Sequence, residues 1–211
     1  MTLLLASLFH INLVLPQLMA SFGHWIYVGL FTLIFMETGL VVFPFLPGDS
    51  MLFLSGSLAA VSGSGLNIGL LVVMLILAAI LGDGCNFELG KRYGHRMITS
   101  RWLKRLFKPA RIAAAEQFFA KHGSTAIFLG RFVPIVRTLV PFTAGMTGMR
   151  YRTFAIYNCV GAISWILVTL GTGYLFGNIA IVQQHFELMM LSVVLISVIP
   201  IALKFLKTRR A

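Results

Sequence analysis

The chain has 211 residues, 58% of them hydrophobic and only 11% charged, with a mean hydropathy of +0.91. A soluble domain carries about a quarter charged residues, so this composition excludes an ordinary soluble protein and predicts an all-α integral membrane protein of one domain over 1–211. Net charge is +11, with nine basic residues between Lys91 and Lys121 and four between Lys204 and Arg210. In so apolar a chain that clustering points to the positive-inside rule and to anionic headgroups, not to nucleic acid. Cys85 and Cys159 form neither a disulfide framework nor a metal-ligand spacing, and no cofactor or metal is expected.

Residues 1–20 are apolar but lack a basic n-region, which argues against a cleaved signal peptide. Asn12 and Pro16 also make them a poor spanning helix, and an interfacial helix is expected there. The stretch 24–43, "HWIYVGLFTLIFMETGLVVF", is long enough to span and is interrupted only by Glu37. Next comes 44–65, "PFLPGDSMLFLSGSLAAVSGSG", apolar but broken by Pro44, Pro47 and several glycines, with Asp49 just after the break. A second span is expected at 66–82, with Asp83 and Glu88 at the interface where it emerges. Over 95–123, Ile98, Trp102, Leu103, Leu106 and Phe107 alternate with Arg101, Lys104, Arg105 and Lys108 at helical spacing. This predicts a basic amphipathic cytoplasmic helix that ends at Pro109, where a second short helix starts.

The stretch 124–149, "STAIFLGRFVPIVRTLVPFTAGMTGM", carries Pro134, Pro141, Arg131 and Arg137 and cannot be one straight helix. Two further spans are expected at 151–177 and 186–206. Irregular backbone at membrane depth survives only when buried in protein or lining a wet cavity, so 44–65 and 124–149 read as re-entrant helical hairpins. With the basic runs cytoplasmic, the two hairpins enter from opposite faces. "PFLPG" (44–48) and "PFTAG" (141–145) share a PFxxG pattern. Together these predict an inverted repeat, with a first half over 24–90, an amphipathic cytoplasmic linker over 91–123 and a second half over 124–206, and about four transmembrane helices in all. In the 151–177 helix, Gly161, Gly171, Gly173 and Gly177 favour close packing, and Trp165 and Tyr174 read as interface anchors.

Four charged residues stand out because they fall within membrane-depth segments: Glu37, Asp49, Arg131 and Arg137. Each costs roughly 2.5–3.5 kcal/mol at a helix centre. Two carboxylates from the first half and two guanidiniums from the second are expected to meet in a hydrated site near the midplane. There Arg131 and Arg137 would bind an anionic group, because the guanidinium fork matches phosphate oxygens. Glu37 and Asp49 would exchange protons. Plain interhelical salt bridges are the alternative reading.

Three strings, "ETGLVVFPFLPGD" (37–49), "GDGCNFELG" (82–90) and "GRFVPIVRTLVPFTAG" (130–145), resemble the bacterial DedA family, also called the VTT or SNARE-associated-Golgi-protein superfamily. The resemblance covers about 24–177. It implies a multi-pass inner-membrane protein with paired re-entrant helices that moves lipids across the bilayer. It also implies that Glu37, Asp49, Arg131 and Arg137 match the membrane-embedded acids and arginines of the family's motifs.

The expected function is therefore a flippase or transporter of a phosphate-headed lipid, such as undecaprenyl phosphate, coupled to the proton-motive force. A proton-coupled antiporter of small cations or osmolytes, a phosphatidylethanolamine flippase or scramblase, and a plain scaffold stay open. The expected partners are the lipid and protons, and homo-oligomerisation stays open. An enzyme is not expected: His10, His24, His95, His122 and His185 lie away from the arginine block, and no hydrolase or nucleotide-binding motif occurs.

Overall fold

The computed structural model describes residues 23–39, 48–61, 64–99, 109–133 and 137–179. The expected interfacial helix at 1–20, the proline break at 44–47, the basic stretch at 100–108 and the span at 186–206 lie outside the described residues. Among the described residues the chain is helical, with no strand. The helices are α1 (Trp25–Gly39), α2 (Gly48–Ala60), α3 (Ile68–Thr99), α4 (Pro109–His122), α5 (Ala126–Gly130), α6 (Leu139–Met146) and α7 (Tyr151–Gly177). A 3-10 turn over Gly123–Thr125 joins α4 to α5.

Ile68–Gly94 of α3 and all of α7 are each 27 residues of apolar helix. At 1.5 Å per residue each is about 40 Å long, more than the roughly 30 Å hydrocarbon core. Their outward faces are greasy. Leu70, Val73, Leu77 and Leu81 form an exposed stripe on α3, and Ile156, Val160, Ile163 and Leu167 form one on α7. Spacings of three and four residues put each set on one helix face. A water-facing surface would not carry such stripes, whereas lipid requires them. The segments expected to span at 66–82 and 151–177 are thus helices long and apolar enough to cross a membrane, while α1 is a shorter apolar helix of 15 residues; α3 continues to Thr99 instead of ending near Gly82.

Two compact units divide the chain. The first takes residues 1–30, 47–72 and 167–211. In it α2 lies backbone-to-backbone on the end of α7. A Cβ on Gly56 would stand 2.1 Å from the Leu170 carbonyl oxygen, and one on Gly173 2.1 Å from that of Phe53. Ser57 donates its hydroxyl to the Gly173 carbonyl at 2.8 Å. The side-chain oxygen of Asn67 accepts from the Leu70 amide at 3.1 Å and caps α3. Tyr27 steadies that cap by accepting from the Asn67 amide at 2.8 Å.

The second unit takes residues 31–46 and 73–166. Its core gathers Phe87, Ala115, Ile127, Leu139, Val140 and Phe154, with Phe118 and Phe119 packed against them. Phe87 stacks on Phe154 with ring centroids 4.3 Å apart. Pro109 starts α4, as expected for a residue whose missing N–H is no loss in the first turn. Through Ala115, Phe118 and Phe119, α4 packs on protein. The 124–149 stretch is broken, as its prolines and glycines predict, into α5 and α6 packed on each other at Gly130 and Val140. α6 ends on Gly148, whose φ of 73° suits glycine. There the Met149 amide bonds the Ala144 carbonyl and the Gly148 amide that of Gly145, each at 3.1 Å.

One face of α3 organises this unit. Gly82, Asn86, Gly90 and Gly94 recur every four residues and so lie on one side. A Cβ on Gly82 would stand 2.0 Å from the Thr38 hydroxyl of α1, and one on Gly90 2.1 Å from the Phe142 carbonyl of α6. From the other side, a Cβ on Gly145 would lie 2.0 Å from the Phe87 carbonyl. At Gly90 and Gly145 the obstacles are backbone and cannot swing away. Gly90→Val and Gly145→Val are therefore expected to lose at least about 1–3 kcal/mol, the range of overpacked cores. Gly171, with nothing within 4 Å of its would-be Cβ, is expected to accept alanine with unchanged or higher stability. Thermal unfolding in detergent, followed by size-exclusion, checks all three.

Candidate functional site

The second unit holds four charged side chains away from solvent: Glu37, Asp83, Arg131 and Arg137 are 6%, 4%, 4% and 8% exposed. Arg131 caps the C-terminal end of α5, and Arg137 immediately precedes Thr138, the N-cap of α6. The two arginines therefore bracket the break. The Arg137 amide bonds the Val133 carbonyl at 3.0 Å.

The charges form two pairs. Arg131 Nη2 lies 2.5 Å from Asp83 Oδ2. The same nitrogen donates to Asn158 Oδ1 at 2.5 Å, while Asn158 donates its amide to the Ile80 carbonyl at 3.1 Å. Asp83 and Ile80 both belong to α3, so Arg131 is tied to that helix twice, directly through Asp83 and indirectly through Asn158 of α7. The second pair joins Arg137 Nη2 to Glu37 Oε2 at 3.3 Å. Trp165 of α7 lies beneath both guanidiniums, its ring centroid 4.1 Å from Arg137 Cζ and 5.9 Å from Arg131 Cζ. A cation over an indole face is favourable, more so when water is excluded.

Asn86 completes the arrangement. It is fully buried, and its amide donates to the Thr38 carbonyl at 3.1 Å and to the Thr138 carbonyl at 2.7 Å. Each acceptor belongs to the residue that follows a charge, Glu37 in one case and Arg137 in the other. Among the described residues the buried Nε–H of Arg131 finds no acceptor, and the Asn86 Oδ1 no donor.

Of the four residues singled out in the sequence, the structure buries Glu37, Arg131 and Arg137 together in one unit. Asp49 is exposed in the first turn of α2, in the other unit. The expectation that Asp83 lies at the interface is corrected. The apolar run ends at Gly82, but the helix does not, and burial brings Asp83 onto Arg131. Glu88 does stay partly exposed, paired with Arg92 at 3.2 Å. Trp165 is likewise no interface anchor, being 3% exposed under the arginines. Asn86 and Asn158 are further site residues that the sequence motifs do not single out, although a polar residue within an apolar helix is a visible signal for Asn158.

Removing one partner of a buried ion pair strands the other, at about 3–5 kcal/mol, whereas replacing both by apolar groups is often neutral. Asp83→Leu is thus expected to unfold far below the parent, and Asp83→Leu combined with Arg131→Met to recover most of the loss. Thermal unfolding of the two single variants and the double variant measures this directly.

Residues 46–175 match the VTT domain. The chain is 42% identical over 208 residues to Protein DedA of Escherichia coli K12, covering 99% of this chain and 94% of that protein. It is 36% identical over 190 residues to Rv0364 of Mycobacterium tuberculosis H37Rv, named an uncharacterized membrane protein, covering 90% and 83%. It is 34% identical over 175 residues to the inner membrane protein YqjA of Escherichia coli K12, covering 82% and 78%. No solved structure matches. A match to the VTT domain over more than half of the chain, and a relative aligned along nearly all of it, leave one assignment: the chain belongs to the DedA family of VTT-domain membrane proteins.

Proposed function

We propose that the protein carries a phosphate-headed lipid, such as undecaprenyl phosphate, across the inner membrane with coupling to the proton-motive force. The inner-membrane location is supported by the name of its relative YqjA. In this reading the basic linker and C-terminus face the cytoplasm, and the α5–α6 stretch is a re-entrant hairpin that carries Arg131 and Arg137 to the headgroup. Glu37 and Asp49 exchange the protons.

The observation that carries the proposal is the cationic break itself, with two buried guanidiniums and a buried Arg131 Nε–H that lacks an acceptor among the described residues. A buried donor left unbonded costs about 1–3 kcal/mol. A phosphate oxygen supplies the acceptor it lacks, and guanidinium–phosphate bonds are among the strong charge-assisted ones. Coupling follows from charge balance. Arg137 is neutralised by Glu37 at 3.3 Å; an arriving phosphate neutralises it instead, and the displaced carboxylate then takes up a proton, because an unpaired charge is not retained at membrane depth. Headgroup entry and proton uptake thus become one event.

A second reading has its own support. Both arginines already face carboxylates, as in an antiporter whose acids bind a small cation and whose arginines only tune them. Proteoliposomes separate the two. With a fluorescent polyprenyl phosphate, Arg137→Gln is expected to lower translocation at least about tenfold, the cost of one lost charge-assisted bond of 1.5–3 kcal/mol. Glu37→Gln is expected to translocate without responding to an imposed pH gradient. Dissipation of the gradient by monovalent cations with no lipid movement overturns the lipid reading and favours the antiporter.

A further inference from the structure

We propose that Asn86 is a positioning residue that sets Glu37 and Arg137 against each other through the main chain. The inference rests on the reading of that pair as the exchanging one, and it names a residue which that reading does not use.

The geometry points to it in three steps. First, the orientation of the amide is fixed by chemistry. Both of its neighbours are carbonyl oxygens, which only accept, so the NH2 must face them and both of its hydrogens are committed. Second, the acceptors are informative. Thr38 follows Glu37 near the end of α1, and Thr138 follows Arg137 at the start of α6. One planar group only a few ångströms across thus fixes the backbone beside each charge. Third, the reach is short because α3 bears glycine one turn before and one turn after Asn86. Gly82 lets α1 approach and Gly90 lets α6 approach, so two helices come within reach of one short side chain.

Asn158 shows the contrast. It also donates to a backbone carbonyl, that of Ile80, but its oxygen accepts from the Arg131 side chain itself. Asn158 holds a charge directly, whereas Asn86 holds the segments that carry the charges. The Glu37 and Arg137 side chains can therefore change partners while their backbones remain registered.

The protein contains a built-in reporter, because Arg137 lies over Trp165 at 4.1 Å. Of its three tryptophans, Trp25 and Trp102 are replaced by phenylalanine in the full chain, leaving Trp165 as the single indole. Arg137→Gln then gives the emission of Trp165 without that cation. Asn86→Leu, close in size and lacking donors, is expected to move the emission most of the way to that reference. Asn86→Ser, whose hydroxyl keeps one donation, is expected to fall between, and it decides should Asn86→Leu not fold. Leu75→Ala, a buried change on α3 outside the clamp, is expected to leave the emission at the parental value. Parental emission in the Asn86 variants overturns the inference, whatever translocation does. Shifted emission with loss of translocation supports it. Shifted emission with parental translocation of the polyprenyl phosphate keeps the clamp but sinks the reading of Glu37–Arg137 as the exchanging pair.

Discussion

Guanidinium groups cannot be left alone in an apolar helix bundle, and the second unit is arranged around that prohibition. α5 has five residues and α6 eight, too short to persist as helices without tertiary support. Their placement comes from outside. Asp83 on α3 meets the arginine at the end of one, and Glu37 on α1 meets the arginine just before the other. Apolar contacts between Ile127, Leu139, Val140 and Phe87 are ample but non-directional. The ion pairs supply the direction, because a slip by one residue would strand a charge in the core.

Such pairs close only where helices nearly touch. Arginine and asparagine have limited reach, and a β-carbon at Gly82, Gly90 or Gly145 would hold the backbones apart. Gly161 plays the same part for Arg131, whose Cδ would lie 3.0 Å from a Cβ there, so the stem of the arginine crosses α7 in the space of a missing side chain. In lipid there is little hydrophobic gain from bringing helices together, and close packing with polar contacts must do it. Small residues and buried charges are therefore two halves of one requirement: the first permit the approach, and the second make it specific.

Much of this could be read in the sequence, and the boundary of what could is physical. Hydropathy located α7 at 151–177 because lipid exposure dictates composition. Proline and glycine marked the break between α5 and α6 because their backbone limits are local. Arg131 and Arg137 stood out because insertion cost is a property of the residue. Asp83 is not legible as a buried residue because the apolar run stops at Gly82, and hydropathy alone ends the helix there. Beyond that point α3 is sustained by packing, with Gly90 and Gly94 against Phe142 and Met146, a tertiary cause invisible to a hydropathy window. Asn86 was hidden more deeply. Its role depends on which two carbonyls lie within 3.1 Å, and their residues, Thr38 and Thr138, are far from it in the chain.

The two buried pairs differ in how they are fastened, and the difference bears on what each can do. Arg131 is gripped at a single nitrogen by two side-chain oxygens, so any ligand that competes for that nitrogen must break a bond that also docks α5 onto α3. Arg137 and Glu37 lie on segments whose docking is secured separately, by the Asn86 amide acting on main-chain oxygens. A site that admits and releases a charged group needs this separation between what holds the helices and what pairs the charges. Otherwise each exchange would loosen the fold by the cost of a stranded ion, about 3–5 kcal/mol against a total stability of about 5–15. The indole of Trp165 extends the same logic, offering Arg137 a face that would stay in place were its carboxylate neutralised, as the proposal requires. In the proposed transport reading, the Asp83–Arg131 pair is the fixed strut of the unit, and the Glu37–Arg137 pair is the one that would change charge.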